Sequence, residues 1–218
     1  RDGKEYIIRL VGPGETFAHL FALEGNYHYH LESSPYSAGR VTVLSKEDYC
    51  SSQLLISGGD AKELGSIYHA MIAWACSNPG ILDNERAISD FLSRQASPLS
   101  FDAEALRVSL KALFSWISST WPGSELCAEY PVSARLDNGQ RVVGRIDLLI
   151  RTADGLVVMD HKLAGNSEGK VEEIVATWAP QLALYATAIT RISGTPRPVG
   201  TRLNLPLEGS AVRVIGAV

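Results

Sequence analysis

The sequence predicts an α/β fold with a β-rich amino-terminal segment, on three observations. Residues 1–57 break into short apolar runs between Gly, Pro and Ser turns. From residue 60 the apolar positions adopt helical spacing. Residues 124–162 return to strand-like runs punctuated by Asp137-Asn138-Gly139 and Asp154-Gly155, both hairpin signals. A chain of 218 residues suits one domain with a small appendage and has ample material for a core. We divide it into residues 1–57, a β-rich segment of unassigned role, and residues 58–218, which carry the chemistry.

Taken in order, EYIIRLV (5–11), NYHYHLE (26–32) and RVTVL (40–44) read as strands. His28 and His30 alternate with tyrosines and share one strand face, which suits either a metal pair or a solvated surface. Gly12-Pro13-Gly14 is turn chemistry; no Lys-Ser/Thr follows at phosphate-loop spacing. Asp60 with Glu63 resembles a capping box and opens a helix that Asn78-Pro79-Gly80 stops. Two more helices are expected near 83–96 and 102–119, opened by Asp83 and Asp102. The strand at 124–136 turns into RVVGRIDLLI (141–150), which turns again into LVVMDHK (156–162). A polar stretch (164–170) leads to helices over about 170–192, with Pro180 starting a new first turn. Strands near 198–205 and 211–216 end the chain.

Composition narrows the function. Hydrophobic content of 45% and charged content of 20% are ordinary for a soluble protein. No run has membrane-span length and no basic-then-apolar leader opens the chain, so a cytoplasmic, membrane-free protein is expected. Cys50, Cys76 and Cys127 are too few and scattered for a disulfide framework, a zinc site or an iron–sulfur cluster. A net charge of −4 argues against a stand-alone nucleic-acid binder without excluding one, because an acidic metal site lowers the total. The chain begins at Arg1 without methionine, which fits a piece of a larger polypeptide.

The chemistry gathers at Asp147, Asp160 and Lys162. If Asp154-Gly155 forms a two-residue turn, Asp147 faces Lys162 with Asp160 at the diagonal, about 7–8 Å away. With a four-residue loop, Asp147 faces Asp160 directly. Either register keeps all three groups on one strand face. The flanking Ile146, Leu148, Leu149, Ile150, Val157, Val158 and Met159 mark both strands as buried. Two carboxylates forced together there repel, and one stays protonated unless a cation neutralises them. A hard divalent ion such as magnesium suits oxygen ligands; a buried Asp–Lys ion pair with a spare acid is the alternative.

Other residues join this picture with alternatives of their own. His69 lies one turn after Gly65, whose cost in a helix interior, about 1 kcal/mol, implies close approach of that face to the sheet. Alone it reads as an ordinary helical histidine; beside two carboxylates, as a third ligand. Glu129 is an outer ligand, a water-orienting base or a strand-edge charge. Gln181 and Tyr185 share a helical face, as phosphate or hydrogen-bonding partners or as a polar cap on a packed helix.

In this order the motifs resemble the RecB/AddA-type nucleases of the PD-(D/E)XK superfamily. GSIYH (65–69) is similar to their Gly-x-x-x-His helix, AEYPV (128–132) to their Glu strand, and GRIDLLI to their first-aspartate strand. VVMDHK resembles their Asp-x-Lys motif and QLALY (181–185) their Gln-x-x-x-Tyr helix. The resemblance covers about residues 60–205; no motif is specific alone, but five in order are. It implies a restriction-endonuclease-like mixed central sheet flanked by helices, and DNA cleavage dependent on Mg2+, with Mn2+ as substitute. It also implies His69, Asp147, Asp160 and the backbone carbonyl of His161 as metal ligands. Lys162, Asp160, Asp147, Glu129, Gln181 and Tyr185 become the expected catalytic set.

The implied setting is the nuclease module, an exonuclease, of a helicase–nuclease acting at broken DNA ends in repair and recombination. The implied partners are DNA and a helicase, present as another domain or as a separate polypeptide, since no Walker-type loop lies in this chain. Asp-His-Lys replaces the more usual Asp-Tyr-Lys, and the cysteine cluster of some relatives is absent. A catalytically silent module that binds DNA ends or a partner protein is the alternative. A hydrolase of small phosphoesters is a third.

Overall fold

The computed structural model describes residues 26–31, 34–42, 45–51, 54, 61–94, 101–135, 139, 141–163, 170–193 and 199–214. The expected strand at 5–11, Gly12-Pro13-Gly14, Asp60, Asp137-Asn138 and the side chains of His28 and His30 lie outside these residues.

Strands β1 (Asn26–Leu31) and β2 (Ser34–Thr42) form an antiparallel two-stranded ribbon. A six-stranded mixed sheet is built from β3 (Ser45–Asp48), β4 (Glu125–Arg135), β5 (Arg141–Arg151), β6 (Leu156–His161), β7 (Val199–Leu205) and β8 (Ser210–Arg213). Its order is β3-β8-β7-β6-β5-β4. Only β6 and β7 pair in parallel, and the crossover that parallel strands require is helix α4 (Lys170–Ser193). Strand β3 has no counterpart among the elements expected from sequence. It lies within the amino-terminal segment of the division at residue 57, yet its partner is β8, at the far end of the chain.

Helices cover both faces. On one, α1 (Ala61–Ser77), a short 3-10 turn (Pro79–Asp83), α2 (Glu85–Ser93) and α3 (Ala103–Thr120) pack over Leu148, Ile150, Val157 and Met159. On the other, α4 packs over Leu149, Val158 and Leu203. The helical apolar spacing accounts for this: Leu64, Ile67, Tyr68, Met71, Ile72 and Ala75 form one stripe of α1. Val175, Leu182, Tyr185 and Ile189 do the same for α4. Over residues 148–150 and 157–159 both strand faces are therefore buried, as these continuous apolar runs require. Among the described residues no helix is long and apolar enough to cross a membrane.

Three local expectations change, and one open choice is resolved. The cap of α2 is Asn84, whose side chain accepts from the Ala87 amide at 3.1 Å. Asp83 instead ends the 3-10 turn and pairs with Lys111 at 2.6 Å, while Asp102 caps α3 as expected. Pro180 does not start a new helix: α4 runs through it, because a long apolar stripe outweighs one missing amide donor. Of the two β5–β6 registers left open, the one with a four-residue loop forms. Arg151 pairs with Leu156, and Thr152 closes the loop by donating its amide to the Gly155 carbonyl and accepting the Gly155 amide on its hydroxyl. Finally, a Cβ at Gly65 would meet nothing within 4 Å, so no close approach explains that glycine.

Gly65→Ala should therefore add about 1 kcal/mol to the unfolding free energy in a urea titration, from helix propensity alone. A loss of stability would reveal a neighbour at this position.

Candidate functional site

The site forms where the β4–β5 ladder changes face. On β4, Leu126 and Ala128 pack with the α1–α3 core, but Tyr130, Val132 and Ala134 pack with the α4 core. On β5, Leu148 and Ile150 belong to the first core, and Ile146 and Val142 to the second. Residues of like parity thus swap sides around Glu129 and Asp147, which lie between the pairs Ala128↔Leu148 and Tyr130↔Ile146. Glu129 has φ +52°, the one non-glycine positive φ among the described residues. A left-handed glutamate in a strand stores on the order of 1–3 kcal/mol, a strain typical of functional positions.

Three side chains converge at this crossover. His69 Nε2 lies 3.6 Å from Asp147 Oδ2, and His69 Nδ1 lies 3.7 Å from Glu129 Oε1. The donor atoms of His69, Glu129 and Asp147 all fall within 4.8 Å of one another. The His161 carbonyl oxygen is 3.3 Å from His69 Nε2, so the main chain reaches the same point. Asp147 Oδ2 also accepts the His161 amide at 2.8 Å, which ties β5 to β6 just past their last pair, Leu148↔Met159. That register continues to Asp147 opposite Asp160.

Asp160 is buried, with 3% exposure, and turns to Lys162, whose Nζ is 2.9 Å from its Oδ2. The same ammonium lies 3.9 Å from the centre of the Trp178 ring on α4. A cation held between a carboxylate and an indole face is fixed in position while keeping donors to spare. Trp178 was missed by sequence reading, although it lies three residues before Gln181 and seven before Tyr185, on one helical face. Arg145 was also missed: its Nη1 is 3.2 Å from Glu129 Oε2.

Gln181 and Tyr185 are placed differently from the acids. Gln181 Nε2 donates to Tyr185 Oη at 3.4 Å, and the Tyr185 ring lies over Gly144, where a Cβ would come within 2.6 Å of its hydroxyl. The glycine of GRID is thus needed for the packing of α4. The His161 ring meets the His69 ring edge-on, with 5.7 Å between centroids, and its Nδ1, 2.8 Å from Asn204 Nδ2, acts as acceptor. Asn204 also donates to Tyr68 Oη and accepts from Tyr49. Burial holds the His161 imidazole well below its ordinary pKa, hence neutral. This second polar set anchors the residue whose amide faces Asp147 and whose carbonyl faces His69.

Burial, and then the neighbouring Asp160 charge, push the Asp147 carboxyl up to about 6, against the opposing effects of His69 and the His161 amide. Glu129, Asp147 and Asp160 place three acids against two cations, Lys162 and Arg145. The donor set fits a hard divalent ion: two carboxylates and an imidazole converge, a carbonyl oxygen lies beside them, and negative charge is left over.

A family model described as the PD-(D/E)XK nuclease superfamily matches residues 40–214. An ATP-dependent helicase/nuclease polypeptide of Thermoanaerobacter sp. (strain X514) is 43% identical to this chain over 54 residues. The protein of the same description from Thermoanaerobacter pseudethanolicus matches to the same degree. These alignments cover 25% of this chain and 4% of each relative, so the chain corresponds to a small part of their length.

Two outcomes are expected here. An acid raised by folding makes the metal-free protein lose stability as pH climbs through about 6, by on the order of 2–3 kcal/mol at most. Below that pH a proton competes with the cation. Manganese should raise the melting temperature clearly at pH 7.5 and little at pH 5; equal shifts would contradict the assignment. Separately, Glu129→Gly should be about 1 kcal/mol more stable than Glu129→Ala in denaturant titrations, because glycine relieves the positive φ. Equal stabilities would mean the backbone there is unstrained.

Proposed function

The chain belongs to the PD-(D/E)XK nuclease superfamily, and from that membership we propose that it is a magnesium-dependent DNA nuclease. The observation that carries this reading is the convergence of His69, Glu129 and Asp147 beside the ion-paired Asp160 and Lys162. In this reading His69, Asp147, Asp160 and the His161 carbonyl hold the ion, with Glu129 close enough to join them directly. Once bound, such an ion polarises the scissile phosphate and acidifies a bound water.

The chain's own groups do the rest. Lys162, steadied by Asp160 and Trp178, donates a hydrogen bond to the attacking water or to the phosphate oxygen that gains charge. Glu129, held by Arg145 and strained toward the cluster, is the group placed to orient that water and take its proton. Asp147 grips the His161 amide and so fixes the carbonyl beside it. Gln181 and Tyr185 act from α4 through Gly144, shaping the strand that bears Asp147.

We further assign the chain to the nuclease module of a helicase–nuclease acting on DNA ends in repair and recombination, working as an exonuclease. The two Thermoanaerobacter relatives are described as ATP-dependent helicase/nuclease proteins, which supports the pairing with a helicase. The motor would lie elsewhere in the polypeptide or in a partner.

Asp160→Ala and Lys162→Ala should each reduce magnesium-dependent degradation of linear DNA by at least about 100-fold, the scale of losing an electrostatic stabiliser. Melting temperatures would be read in parallel to separate chemistry from folding. Unchanged cleavage in either variant rejects the assignment.

A further inference from the structure

We propose that the outer face of the β4–β5 ribbon, beyond the acid cluster, is a track for the sugar–phosphate backbone of DNA. The proposal rests on the nuclease reading only in what the track would deliver, not in what it would bind.

Beyond the crossover at Glu129 and Asp147, alternate residues of both strands face outward. They are Pro131, Ser133 and Arg135 on β4, and Arg145, Val143 and Arg141 on β5; all are exposed. The register sets Pro131 opposite Arg145, Ser133 opposite Val143, and Arg135 opposite Arg141. The inner face of the same ribbon is covered: Val132, Ala134 and Val142 pack with α4, and Arg191 of that helix donates to the Arg135 carbonyl at 3.1 Å. The ribbon is therefore a supported arm with one face left to solvent. At about 3.3 Å per residue, Arg141 lies roughly 20 Å along the strand from Asp147.

Two features of that face work against stability. Arg135 and Arg141 are direct cross-strand neighbours, and like charges so placed repel. Between the arginines, Val143 is 68% exposed, the most exposed large hydrophobic residue among those described. Arg141 is satisfied only by a neutral partner, the Ser133 hydroxyl at 3.1 Å, and neither it nor Arg135 forms a salt bridge among the described residues. Arg145 alone has an acid, Glu129, which sits at the junction with the site. Among the described residues, these three guanidinium groups are answered by a single acid, Glu129, and so concentrate positive charge in a chain whose net charge is −4.

A polyanion resolves this arrangement. Phosphate accepts from guanidinium in bidentate fashion and relieves the Arg135–Arg141 repulsion, and Val143 suits the apolar edge of a sugar. An acidic chain repels DNA at long range, so a local cationic face continuous with the acid cluster is what draws a strand toward Asp147.

The test is binding of a fluorescein-labelled DNA duplex to the full chain in EDTA, by anisotropy across a salt series, so that no cleavage is needed. Arg135→Gln with Arg141→Gln should weaken binding, and should flatten the slope of log affinity against log salt by about 0.9 per arginine removed. Arg86→Gln, at an exposed site on α2 paired with Asp90, serves as the control and should leave that slope unchanged. The double variant should melt no lower than the parent. In magnesium its KM for DNA should rise while kcat at saturating DNA holds. An unchanged affinity and slope, or a loss matched by Arg86→Gln, overturns the proposal and leaves the face to an acidic protein. Lost binding in a chain that never cuts DNA keeps the track and removes the nuclease reading. Cutting with the parent's salt slope does the reverse.

Discussion

Asp147 and Asp160 lie opposite each other, flanked by the buried Ile146, Leu148, Val158 and Met159, and the site is organised around that conflict. Two carboxylates in such a place repel, and burial adds to the cost of ionising either. The chain answers in three ways. Lys162 neutralises Asp160, the His161 amide binds Asp147, and the half-buried His69 stands on the open side of the pair. The Asp147 carboxyl is still pushed up to about 6, first by its burial and then by the Asp160 charge. The fold tolerates this deficit because cores on both faces of the sheet hold the strands in register.

The crossover of faces at Glu129 is the geometric counterpart of that electrostatic tension. Without it, Glu129 would follow strict alternation and its neighbours would stay with one core. The positive φ lets β4 change sides and directs its carboxylate at His69. Among the described residues, the distal ribbon leaves the α1–α3 core and packs with the α4 core. One strained residue therefore links the acid cluster to the exposed arginine face.

Much of this is legible in the sequence because it depends on period and order. The helical stripe of α1 places His69, and the buried runs around GRID and VVMDHK place Asp147, Asp160 and Lys162. The hairpin register stays open between two choices at that level, since Asp-Gly favours a tight turn locally; the Thr152 hydroxyl decides for the longer loop. What the sequence does not show are effects of tertiary contact. Pro180 reads as a boundary until the apolar stripe on both sides of it is weighed. Trp178 is an ordinary core residue until Lys162 is placed over its ring. Strand β3 is too short and polar for its pattern to declare it, and it exists because β8 offers an edge. The positive φ of Glu129 leaves no trace in composition at all.

The proposed function requires a cation at the point where His69, Asp147 and the His161 carbonyl meet. Anomalous diffraction from a manganese-soaked crystal addresses that most directly. The predicted result is a manganese peak within coordination distance of the His69 imidazole and an Asp147 carboxylate oxygen. A crystal with manganese bound elsewhere, or with no peak between these two residues, would contradict it.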